Sequence, residues 1–141
     1  MKWVTRAHVH VDRVACPWLI SRFIDAQAEF IFVAEELVLE EIRKEGAIPF
    51  DIEDAELGHQ EGQCSFISIL KKYRIKDPAV WALAEVVNAA DTDKMNENPF
   101  ASGLEAIARG FSLTHPNDFE NLEKQFPVYD ALYAYFRLNK G

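Results

Sequence analysis

From Val4 to Val11 the chain alternates with a period of two. Thr5, Ala7, Val9 and Val11 fall on one side, and Arg6, His8 and His10 on the other. That pattern predicts a strand with one buried face and one polar face, and Asp12 continues the polar parity. Pro17 suits the first turn of a helix that goes on through Trp18, Leu19, Ile20 and Phe23. Residues 29–33 (Glu-Phe-Ile-Phe-Val) read as a second strand. Residues 35–44 form a charged helix with Leu37 and Ile42 inward, stopped by Gly46. Residues 48–52 are a short third strand, placed at a sheet edge by Pro49.

Beyond Ser65 the period changes to that of helices. Ser65 is positioned to cap a helix through Phe66, Ile69, Leu70 and Tyr73, and Asp77-Pro78 opens another that runs to Ala90. Leu104, Ile107 and Phe111 mark a stripe on a third. Asn117, with Glu120 three residues on, starts a last helix that Pro127 should kink or split. The expected fold is α+β and helix-dominated, with about three short strands in the first half and a helical second half. Residues 1–141 are expected to form a single domain.

Composition narrows the function classes. The net charge is −8, and Lys and Arg are scattered, so no nucleic acid partner is expected for this chain alone. No apolar run is long enough to span a bilayer, and none near the first residue reads as a signal segment, so a cytoplasmic protein with no membrane partner is expected. Two cysteines are too few for a disulfide scaffold and are read as reduced thiols. A homodimer is left open.

Three short runs concentrate the reactive side chains: His10 to Trp18, Gly58 to Phe66, and Ala90 to Asp93. His8, His10 and Asp12 share a strand face, which is either a solvated surface or half of a metal site. Gly58 and Gly62 permit turns that aim His59, Glu61 and Cys64 into a common space; the alternative is a turn that only leads into the next helix. The His-x-Glu order there lacks the Pro-Cys-x-x-Cys of zinc deaminases. Cys16 beside Pro17 reads as packing. Asp91 and Asp93 near a helix C-terminus oppose its dipole unless a cation or a basic group compensates. Arg13 and Arg22 are candidates for an oxyanion and equally for ion pairs.

The run from His10 through Val11-Asp12-Arg13, Cys16-Pro17-Trp18 and Arg22-Phe23 to Asp25 resembles the C-terminal domain of ChrB-type chromate resistance proteins. So do Gly58-His59, Gly62 to Phe66, Ala90 to Asp93, Gly103-Leu104 and Tyr129 to Tyr133. The chain looks like that domain standing alone, and Ile67 stands where members often carry an acidic residue. The resemblance implies a role in chromate or oxyanion stress. The matched polar positions are His10, Asp12, Arg13, Arg22, His59, Cys64, Asp91 and Asp93.

The leading expectation is a metal-binding sensor or accessory protein. His10, Asp12, His59, Asp91 and Asp93 would meet as ligands of a divalent transition metal (zinc, manganese or iron), with Arg13, Arg22, Glu61 and Cys64 in the same pocket and a small ligand or oxyanion beside them. The rival readings are a small metal- or thiol-dependent enzyme, and a structural or dimerising helical module.

Overall fold

The computed structural model describes residues 1–92 and 94–140, with the backbone alone for Asn139 and Lys140. Strand β1 (Lys2–Arg6) lies between β2 (Glu29–Val33) and β3 (Ile48–Pro49), and both pairings are parallel. A central strand is covered on both sides. Trp3, Val4 and Thr5 are therefore all buried, and the polar face expected for this segment is not formed.

The strand also ends earlier than its alternation implied. His8 takes a left-handed backbone conformation (φ 66°). The N–H groups of His8 and Val9 donate to the Asp118 carboxylate at 3.1 and 2.8 Å, which fixes the chain away from the sheet. Helix α1 (Val11–Leu19) then begins, so Asp12 sits in the first turn of a helix and is buried. Pro17 lies inside α1 rather than at its start, and the helix passes into a π-helical turn over Ile20–Ile24.

After β2, a 3₁₀ turn (Glu35–Leu37) leads into α2 (Val38–Glu45). Val38 points inward in place of the expected Leu37, which is exposed. Gly46 ends α2 at φ 65°, its N–H donating to the Ile42 carbonyl at 3.0 Å. Helices α3 (Ser65–Lys72) and α4 (Pro78–Asp91) follow; Cys64 rather than Ser65 is the cap position of α3, and Asp77 caps α4 by accepting from the Ala79 N–H at 2.9 Å. Helix α5 (Ala101–Thr114) buries Ala101, Leu104 and Ala108, leaving Ile107 exposed against expectation. Leu104 is buried as expected, and the two alanines beside it lie where α5 packs on α4. Helix α6 (Asp118–Lys140) runs through Pro127 without a break and buries Leu122, Tyr129 and Phe136.

The architecture is α+β and helix-dominated, as the residue periods imply. The main core lies between α1, α3, α4, α5 and α6, and a smaller group of Val4, Val38 and Ala47 packs on the α2 side of the sheet. Trp18 of α1 packs edge-on and tilted against Phe23, Tyr129 and Tyr133 and donates its indole N–H to Asp130 at 2.7 Å. Helix α1 is thereby clamped to α6, with its first turn held next to the starts and ends of the other helices. Among the described residues no helix is long and apolar enough to cross a membrane.

Candidate metal centre

Asp12 is 1% exposed. Its Oδ2 accepts the Ser65 N–H at 2.7 Å, and its Oδ1 accepts the Phe66 N–H at 3.1 Å. These are free N–H groups of the first turn of α3, where a negative charge also meets the positive end of the helix dipole. The Cys16 thiol, one turn along α1, donates to Oδ1 at 3.3 Å. A carboxylate that would be costly to bury is thus fixed by donors on two helices.

His59 reaches this carboxylate from the loop that follows β3. Gly58 makes the loop tight: a Cβ there would lie 2.4 Å from the Ile52 carbonyl oxygen. The Ser68 hydroxyl ties the Gly58 carbonyl to α3 at 2.6 Å. The half-exposed His59 ring places Nε2 at 2.9 Å from Asp91 Oδ2, and 3.6 Å from both Asp12 Oδ2 and Asp51 Oδ1. Asp91 is the last residue of α4. One ligand atom each from Asp12, His59 and Asp91 lie within 4.8 Å of one another, a spacing that a single ion can bridge.

The electrostatics follow from crowding. Burial, then the charge of Asp12, pushes the Asp51 carboxyl up to about 7. Burial followed by the charges of Asp12 and Asp51 does the same to Asp91, also to about 7. His59 is raised to about 9, first by its interaction with Asp12, with the charges of Asp51 and Asp91 adding. A cation at this point would replace repulsion among carboxylates with coordination.

The expected site residues divide. Asp12, His59 and Asp91 are brought together. His10 is not: at the start of α1 its Nε2 lies 2.9 Å from Glu105 of α5, a carboxylate shared with Arg109. The shortened strand explains this placement, because His10 and Asp12 do not share a strand face. Asp93 lies outside the described residues. Arg13 does reach the cluster, donating to Asp51 at 3.4 Å and to the His8 carbonyl at 2.9 Å. Arg22 does not; it is paired twice with Asp130 at 3.1 Å and lies over Phe126.

Glu61 stands exposed in the tight Gln60–Gln63 turn at φ 51° and lines a separate groove with Lys71 and Lys72. Cys64 is buried beside the cluster, its N–H donating to Asn88 at 2.8 Å. Both cysteines are free, and burial followed by the charge of Asp12 pushes both thiols up.

Asp51 was not singled out by the sequence, which placed it within the third strand. It follows the carboxyl end of β3 in a left-handed conformation (φ 48°), and its Oδ1 accepts the Ser65 hydroxyl at 2.7 Å. An Asp directly after a short apolar run, at the carboxyl end of a parallel strand, is the signal that marks it. A cleft of about 420 Å³ opens here, lined by Arg6, Glu35, Asp51, Glu53, Asp54 and His59 among others. Arg6 ends β1, Glu35 follows β2, and Asp51 follows β3, so the cleft spans the carboxyl ends of the sheet.

A family model described as ChrB, C-terminal domain, matches residues 3–136. Protein ChrB of Cupriavidus metallidurans is 35% identical over 140 residues, covering 96% of this chain and 40% of the relative. The chain thus spans about two-fifths of the length of that curated relative. No solved structure matches it.

Proposed function

The chain belongs to the ChrB C-terminal domain family, and on that premise we propose that it is a metal-binding sensor or accessory protein in chromate or oxyanion resistance. The metal would be held by Asp12, His59 and Asp91. The observation that supports this most is the meeting of one imidazole and two carboxylates, from α1, the loop after β3 and the end of α4, within 4.8 Å. Mixed imidazole and carboxylate ligation suits zinc, manganese or iron.

This chain's own residues prepare the site. Ser65 and Phe66 N–H groups and the Cys16 thiol hold Asp12 in orientation, as outer partners do for metal ligands generally. Gly58 and Ser68 hold the loop that carries His59. Because the ligands sit on three elements, an ion would join them and couple its binding to the stability of the fold. That coupling is what a sensor or accessory domain requires.

A metalloenzyme is the second reading, favoured by the cleft that His59 and Asp51 line, since an ion with an open position there would meet water or a substrate. The thiol version has less support, because both sulfurs are buried and their thiols pushed away from ionisation. Elemental analysis of protein prepared without a histidine tag tests the metal reading. Stoichiometric metal in the native protein, lost in His59→Ala, is the expected result. Protein that stays metal-free after exposure to zinc, manganese and iron(II) would overturn it.

A further inference from the structure

The strand order β2-β1-β3 contains a reversal. From β1 the chain passes through α1 to β2 on one side; from β2 it passes through α2 to β3 on the other. The two helices cover opposite faces of the sheet: Trp3 packs in the core that holds α1, and Val4 packs with Val38 of α2. The carboxyl ends of β1 and β3 therefore lie where the two crossovers part. In open parallel sheets this is where small ligands bind. Arg6 ends β1 and Asp51 follows β3, and both line the cleft of about 420 Å³.

Arg6 is half-buried and unmatched. Among the described residues no group accepts a hydrogen bond from its guanidinium, no carboxylate lies within ion-pair distance, and its Nε is buried without a partner. Unmatched buried donors are costly and rare. Carboxylates share the cleft, yet none answers Arg6. Asp51 is held by Ser65 and Arg13. Glu35, Glu53 and Asp54 are exposed, where water and salt screen them. Arg13 and Arg22, by contrast, are both engaged by carboxylates.

We propose that this cleft binds a small organic anion, whose carboxylate or phosphate group seats on the Arg6 guanidinium. A guanidinium offers parallel N–H donors that match the paired oxygens of such a group. Small-molecule sites span roughly 300–1,000 Å³, so this cleft has room for more than the anionic group alone. The remainder of the ligand meets Ile52, His59 and Gln60, which line the same cleft. The proposal goes beyond the metal reading and does not rest on it, because Arg6 is no part of the Asp12, His59 and Asp91 group.

The test is nuclear magnetic resonance of the arginine Nε–H groups in the metal-free full chain. It is titrated with sodium phosphate and separately with sodium acetate, with chloride holding the ionic strength constant. A saturable shift led by Arg6 is expected with at least one probe; phosphate alone assigns a phosphate ester, acetate alone a carboxylic acid. In the variants the His59 ring reports binding. Arg6→Lys keeps the stem and the charge but not the planar fork. It should bind the same probe roughly tenfold or more weakly, the loss of one charge-assisted hydrogen bond. Arg6→Gln should abolish saturation. No saturable shift, a shift that chloride reproduces, or unchanged affinity in both variants would overturn the proposal and leave the metal reading standing. Protein that binds no metal would remove that reading and leave this one intact.

Discussion

The Asp12 carboxylate does two jobs with one pair of oxygens: it caps α3 and it faces His59. Replacing it by Asn turns one acceptor into a donor that confronts an α3 N–H group. The metal-free protein should lose about 1–3 kcal/mol, the cost of leaving a buried donor unmatched, measured by urea unfolding. Cys16→Ser keeps a donor aimed at Asp12 and should cost less than Cys16→Ala in the same assay. At this scale the sequence reveals residue types but not their directions. His10 and Asp12 stand two apart and look alike in parity, yet one turns to Glu105 and the other into the core. Asp51 escapes notice because hydrophobic alternation carries no trace of a left-handed backbone.

Elements were more legible than side chains, and their errors have physical causes. The capped starts of α4 and α6 and the Gly46 stop are local chemistry, and local chemistry is written in adjacent residues. The end of β1 is not, because Asp118, 110 residues from His8, takes the N–H that would have continued the strand. The buried stripe of α5 keeps Leu104 but takes Ala101 and Ala108 in place of Ile107 for the same reason: a neighbouring helix decides it. Two glycines separate local from tertiary demands. Gly46→Ala meets nothing within 4 Å and should cost only its left-handed backbone, about 1–2 kcal/mol, with metal binding unchanged. Gly58→Ala drives a Cβ to 2.4 Å from a backbone oxygen. It should cost roughly 2 kcal/mol or more and displace His59, so that calorimetry and a metal titration both register the change.

At the scale of the whole molecule, three buried or half-buried carboxylates converge in a chain whose net charge is already −8. Burial, then the charge of Asp12, pushes Asp51 and Asp91 up from 3.8 to about 7, so folding favours their protonated forms. Their stabilising contribution is full below 3.8 and is lost as pH rises through about 7. His59, raised from 6.5 to about 9, contributes fully below 6.5 and loses that contribution as pH rises through about 9. The metal-free protein should therefore melt at progressively lower temperature across this range. A bound cation replaces those protons, so the metal-loaded protein should show a flatter profile in calorimetry at the same pH values.

Nuclear magnetic resonance of the imidazole rings during a manganese(II) titration of the metal-free protein reads directly which histidine meets the ion. The four ring systems, His8, His10, His59 and His115, are distinct reporters on one chain. The prediction is that His59 is broadened first, at substoichiometric manganese, while His10 beside Glu105 is affected later. Broadening led by His10, or equal and gradual broadening of all four with no preferred ring, would contradict a centre formed by Asp12, His59 and Asp91.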